Sequence, residues 1–223
     1  MAVLRRELEH FMYDNLIDLK TGLTYFRDEN LRFTVSSRNM GNHYSDSMVA
    51  YLKMQYIYVS YQQIESVFGH TEDYSALYGG RPYSKNNAIT DQQIDQLEND
   101  GIGIALTLTN HNFTEADYHD SDKLLKKHHK KMNSIICTND DLAVRIKNDF
   151  PDYTLKASLI KDLNTHEKID KALEIYDYVV IPMEKNDDDD FLRRITHKDR
   201  AILFGNAACA YTCPARTCYV GIS

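Results

Sequence analysis

Ser134-Ile-Ile-Cys-Thr-Asn-Asp-Asp-Leu-Ala-Val-Arg-Ile-Lys-Asn-Asp-Phe-Pro-Asp-Tyr-Thr-Leu-Lys-Ala-Ser158 reads as strand, helix, strand. The first run, Ser134–Thr138, is short and almost wholly apolar, as strands buried on both faces of a parallel sheet are. A helix follows over Asp140–Asp149 and stops just before Pro151, which cannot continue it. Thr154–Leu159 is the next strand. Tyr178-Val-Val-Ile181 repeats the apolar pattern, within a strand expected over Tyr178–Pro182.

Working outward, further candidate strands are Arg32–Ser36, Tyr56–Ser60, Gly103–Thr109 and Ala201–Gly205. Helical patterns lie between the strands: Asp46–Met54, Asp91–Asn99, Ser121–Lys131, Thr165–Ile175 and Asp187–Ile195. Thr90 is a good N-cap for the second of these, and Gly101 closes it. Regular alternation of strand and helix implies right-handed βαβ units. With seven strands and no glycine-rich nucleotide fingerprint, the expected fold is an α/β barrel of the TIM type. It has seven strands, or eight if Tyr219–Ile222 is one, and so is short of full closure in the first case. Leu4, Leu8, Phe11, Met12, Leu16 and Leu19 share one face of an opening helix, expected over 1–22 and ended by Gly22. The whole chain, 1–223, is expected as one domain. Its longest irregular stretch, 62–87, holds Gly69, Gly79, Gly80 and Pro82, and is a candidate lid or pocket wall.

Composition narrows the function classes. The 223 residues carry 43% hydrophobic and 26% charged side chains, ordinary for a globular domain. No apolar run approaches a membrane span, and the charged start Met1–His10 cannot serve as a secretory signal. The expected compartment is the cytoplasm, where clustered cysteines more often bind metal than pair. A net charge of −7 argues against broad phosphate-backbone binding. The basic strip Lys126-Lys-His-His-Lys-Lys131 reads first as a solvated helix face. His128 and His129 are adjacent, so they cannot ligate one ion at helical spacing. There is no G-x-S-x-G elbow and no H-E-x-x-H helix, so no hydrolytic machinery is legible.

Three of the four cysteines crowd the tail, Cys209, Cys213 and Cys218, just beyond the last expected strand. Soft thiolates at this density suit zinc or an iron–sulfur cluster. The C-x3-C-x4-C spacing is not the C-x2-C pairing of zinc ribbons. Cys137 ends its own strand and would reach the same end of a barrel if the two strands run parallel. Four thiolates would close a site; three would leave one iron open. The alternatives are reduced cysteines at a surface turn and, for Cys137, a small buried apolar residue.

Several motifs resemble the collagenase-like peptidase family U-32. They are Tyr78-Gly-Gly-Arg-Pro82, Gly101-Ile-Gly-Ile-Ala-Leu-Thr-Leu-Thr-Asn110, Ile136-Cys-Thr-Asn-Asp-Asp-Leu-Ala143, Phe150-Pro-Asp-Tyr-Thr-Leu-Lys-Ala-Ser158 and Leu203-Phe-Gly-Asn-Ala-Ala-Cys209. The resemblance spans about Tyr56 to Cys218. It implies an α/β-barrel core and places the chain beside proteins of RNA hydroxylation and oxygen-independent ubiquinone synthesis. It also implies that Cys209 and Cys213 help hold a four-iron–four-sulfur cluster, which favours iron–sulfur over zinc.

Polar residues at the expected strand ends form a second constellation, which in a barrel would line one mouth. His111 is a candidate acid/base, the residue type that titrates near neutral pH. Arg38 and Arg81 would hold a carboxylate or phosphate. Asn110, Ser158 and Asn206 are candidate substrate contacts. Helix capping is the competing role for Asn139 or Asp140, and a turn for Asn112 or Thr114. The leading expectation is an iron–sulfur protein inserting oxygen into, or doing related redox chemistry on, a small aromatic or RNA substrate. The alternatives are a noncatalytic barrel adaptor, whose early end exposes a rim for a protein partner or a second copy, and a peptidase-like protein of the U-32 type. A metal-free lyase or aldolase has only Lys156 to offer.

Overall fold

The structure, a computed structural model, describes residues 17–18, 23–24, 31–37, 52, 61–79 and 88–205. Two short strands, β1 (Ile17–Asp18) and β2 (Leu23–Thr24), pair antiparallel. The sequence reading put residues 17–18 in the opening helix. Ile17 instead pairs with Thr24, and Asp18 with Leu23, in an antiparallel ladder. The remainder of 1–22 lies outside the described residues, as do the expected strand Tyr56–Ser60 and, apart from Leu52, the helix Asp46–Met54.

Seven further strands form one sheet: β3 (Phe33–Ser36), β4 (Ile64–Gly69), β5 (Gly103–Leu108), β6 (Ser134–Cys137), β7 (Thr154–Ala157), β8 (Tyr178–Ile181) and β9 (Ala201–Leu203). They neighbour one another in chain order, with β3 and β9 at the ends. β3 and β4 are parallel, and so is each pair from β5 to β9. Seven parallel strands in sequence order, with helices in the crossovers, make an incomplete α/β barrel of the TIM type. β4 corrects the sequence reading, which left Ile64-Glu-Ser-Val-Phe-Gly69 inside the 62–87 loop. Buried Ile64 and Val67, with Ser66 tied to Thr34 (Oγ to Oγ, 2.9 Å), fix this run as a strand.

The chain divides into two compact units. The first, residues 1–69 and 86–104, holds β3, β4 and helix α1 (Asp91–Asn99). Thr90 caps α1 in a reciprocal box with Gln93, and Ile94 and Leu97 are its buried face. Gly101 follows at φ 74°, the left-handed conformation that glycine adopts without a Cβ penalty.

The second unit, residues 70–85 and 105–223, holds most of β5, all of β6–β9 and, among the described residues, five α-helices. These are α2 (Glu115–Asp120), α3 (Asp122–Lys127), α4 (Asp140–Asp149), α5 (His166–Ala172) and α6 (Asp189–Arg193). α2 follows Thr114, for which the sequence suggests a turn, in a stretch with no expected element. Thr114 and Asp117 form its capping box, and the Thr114 bonds hold the Asp117 carboxyl below its ordinary value. The single helix expected over Ser121–Lys131 is shorter, ending at Lys127, and the Ser121 hydroxyl donates back to the Asp117 carbonyl (2.7 Å) where α2 ends.

Asn139, and not Asp140, caps α4: its side-chain oxygen accepts from Leu142 N at 3.0 Å. Its amide donates to the His111 carbonyl at 3.0 Å, so one side chain fixes both the helix start and the β5 exit. Asn139→Ala is expected to cost about 1–2 kcal/mol in chemical denaturation, the worth of a cap plus a tether.

Candidate functional site at the strand C-termini

Strands that neighbour in chain order through right-handed crossovers place their helices on one face of the sheet. In the second unit the residues on that face are apolar and buried: Leu106, Leu108, Ile135, Leu155, Val179 and Ile181 among them. Strand alternation sends the intervening residues to the opposite face. The register sets Thr107, Ile136, Lys156 and Tyr178 in one row there. Toward the strand C-termini, alternation continues the same face into Thr109, Thr138, Ser158 and Val180. This second face is lined with hydroxyls and carries Lys156, which is only 3% exposed.

The end of β5 is tied to residues 70–79. Asn110 donates from its backbone N to the Leu77 carbonyl (3.1 Å) and from its side-chain amide to the Ala76 carbonyl (2.8 Å). Its Oδ1 accepts from Asn112 N (2.8 Å), so this expected substrate contact works as a clamp. Thr109 Oγ1 donates to the Gly79 carbonyl at 3.3 Å. Ser75 Oγ accepts from Leu77 N, and the Ser121 proton already goes to Asp117. The 2.6 Å Ser75–Ser121 bond is therefore donated by Ser75. Tyr78 Oη accepts from Thr71 N, and Lys127 pairs with Asp73, whose carboxyl the hydrogen bond holds below its ordinary value. Residues 70–79, part of the stretch expected as a lid or pocket wall, are thus bonded to the β5 end. His111 follows the clamp, and its Nε2 is buried with no hydrogen-bond partner among the described residues.

At the β6 end, Lys161 Nζ donates to the Thr138 carbonyl (3.0 Å) and to Asp140 Oδ1 (2.7 Å), and sits 5.3 Å from the Tyr176 ring centroid. Ser158 is buried; its Oγ accepts from Ile160 N and its backbone N donates to the Cys137 carbonyl. Burial, with Cys137 and Asp140 nearby, raises the Tyr176 phenol above its ordinary range.

Cys137 lies on the helix-covered face with Ile135, fully buried, and its thiol donates to the Asn139 carbonyl at 3.2 Å. Burial pushes its pKa up to about 12. Full burial beside Ile135 gives Cys137 the setting of a small buried apolar residue. Because its folded value lies above the unfolded 9.0, the unfolded state loses its proton first as pH rises. Stability is therefore complete below about pH 9 and falls between 9 and 12. Cys137→Ala should flatten that alkaline decline in denaturation curves recorded across the interval.

Arg38, Arg81, Asn206, Cys209, Cys213 and Cys218 lie outside the described residues. The chain reaches that tail from β9, which is parallel to β8, and the Asn186 amide holds the Phe204 carbonyl at 3.0 Å as the strand ends. The basic strip is partly spent: Lys126 pairs with Asp122, Lys127 with Asp73, and His128 is buried. A cavity of about 280 Å³ lined by Asp170, Leu173, Glu174, Thr196, His197 and Arg200 sits at the strand N-termini, the end whose residues serve stability in this architecture. No helix among the described residues is long and apolar enough to cross a membrane.

Neither a family profile nor a curated protein sequence matches the chain. A solved structure described as that of the U32 peptidase Mk0906 is similar in fold, with a TM-score of 0.50 over 79% of this chain and 68% of the other. The two sequences are 10% identical, so the likeness is one of architecture: this chain has a U32-like fold.

Proposed function

We propose that this chain is a U32-like barrel enzyme whose reaction takes place at the strand C-termini. In this reading Cys209, Cys213 and Cys218 hold an iron–sulfur cluster beside that end. The observation that carries it is the parallel course of β9. The chain leaves β9 toward its cysteines at the strand end that, in β5–β7, bears His111, Thr138 and Ser158. Cys137, buried on the helix-covered face, is left out of that set. The cluster is therefore assigned three protein ligands, and the chemistry it would supply is electron transfer or activation at an open iron. His111, with its buried and unpartnered ring nitrogen, would move a proton, and Ser158 would contact the substrate. Oxygen insertion on a small aromatic or RNA substrate is the reaction class that the sequence resemblance favours.

Anaerobic purification followed by visible absorption and iron and sulfide analysis tests this reading. A brown protein with iron and sulfide in equal amount is expected. A colourless, iron-free protein that forms a stable complex with a partner would instead support the adaptor reading.

A further inference from the structure

The main chain around His111 is pinned on both sides. Before it, Asn110 donates from its backbone N to the Leu77 carbonyl (3.1 Å) and from its amide to the Ala76 carbonyl (2.8 Å). Asn110 Oδ1 also accepts from Asn112 N (2.8 Å), which closes a turn over His111 itself. The His111 carbonyl accepts from Asn139 Nδ2 at 3.0 Å, a bond from just past the end of the neighbouring strand β6.

Asn139 can make that bond in one orientation only. Its Oδ1 accepts from Leu142 N at 3.0 Å as the cap of α4, so its amide nitrogen faces His111. Its own carbonyl accepts the Cys137 thiol at 3.2 Å. Capping alone does not require asparagine, because aspartate and serine cap a helix equally well. What asparagine adds is a donor beside its acceptor. An ionised aspartate has no donor, and serine spends its one oxygen on the cap.

With the backbone held in this way, the His111 ring keeps only its own two side-chain torsions. Its Nε2 is buried with no hydrogen-bond partner among the described residues. A group that must meet a reacting atom gains from such preorganisation, and the residues that lock it are part of the device.

We infer that Asn139 is a positioning residue for His111: besides capping α4, its bond to the His111 carbonyl sets where the imidazole stands at the β5 exit. The inference rests on the reading of His111 as the proton-moving group, and it needs no cluster.

Two-bond 1H–15N spectra of the histidine rings in the full-length protein test it, with the His111 signals assigned through His111→Gln. Asn139→Asp and Asn139→Ser both keep the cap and remove the donor. Their urea midpoints should therefore lie closer to wild type than that of Asn139→Ala. In both, the His111 ring signals should shift, while those of His166 and His197 stay in place. The serine variant adds no charge, so a shift common to the two reports the lost donor. A residue that only caps α4 would leave the His111 ring unmoved in both variants, and that result would overturn the inference. Shifts at His197 as large as those at His111 would overturn it too. Iron and sulfide measured on the same samples separate the two readings. A shifted ring in a colourless protein sinks the cluster alone, and an unmoved ring in a brown one sinks the positioning alone.

Discussion

Gly79→Ala is expected to lower stability by about 2–3 kcal/mol, the upper range for forcing an extra carbon into a packed site. A Cβ at this position would meet Asn110 N at 2.4 Å and the Thr109 carbonyl carbon and oxygen at 2.5 Å. All three are backbone atoms, so no side chain can swing aside. The neighbourhood is also fixed by hydrogen bonds. Asn110 holds the carbonyls of Ala76 and Leu77, and Thr109 holds that of Gly79. Relief of the clash would break part of that set and release the β5 end that carries His111. A drop of roughly 5–10 °C in melting temperature should accompany the loss in a chain of this size. Wild-type stability in Gly79→Ala would show that residues 76–79 do not lie against β5 as described.

Arg200→Met should cost a comparable amount, about 2–3 kcal/mol. The guanidinium donates from Nε to the Asp177 carbonyl (2.8 Å) and from Nη2 to the carbonyls of Leu173 (2.9 Å) and Tyr176 (2.6 Å). These oxygens close the turn between α5 and β8, and the first residues past a helix have no helical donor for them. A planar fork serves three acceptors at once. Methionine keeps most of the packing volume and strands all three carbonyls. Arg200→Lys should recover only part of the loss, since an ammonium cannot reproduce the fork. Equal stability of the methionine variant in urea would show that water satisfies those carbonyls without cost.

The barrel order was legible in the sequence because apolar strand and amphipathic helix alternate on two different periods. Ser134–Cys137, Thr154–Ala157 and Tyr178–Ile181 lie within their expected runs, and Thr90 with Gly101 marks the ends of α1. β4 was not legible. Ile64-Glu-Ser-Val-Phe-Gly69 has a weaker alternation than the aromatic, β-branched run just before it, and strand pairing to β3 is what identifies it. α2 was hidden because Thr114 and Asp117 read equally well as turn residues until both halves of the capping box are seen.

The site was less legible than the fold, and Cys137 shows why. In Ser134-Ile-Ile-Cys137 both faces read as apolar, so the sequence could not say which way the thiol points. Register and burial decide it: Cys137 joins Ile135 under the helices, whereas Ile136 stands with Lys156. Asn110 illustrates a second limit. A polar side chain at a strand end serves a ligand or the backbone equally well on paper, and here three of its atoms hold protein groups. Lys156 was visible as the nearest strand lysine, but its setting among buried hydroxyls emerges only from the paired strands.

Iron and sulfide per chain, measured on anaerobically purified wild type, Cys137→Ala and Cys209→Ser, tests the central claim most directly. The account predicts the same iron and sulfide in wild type and Cys137→Ala, and loss of both in Cys209→Ser. Iron that vanishes with Cys137 and persists without Cys209 would contradict it.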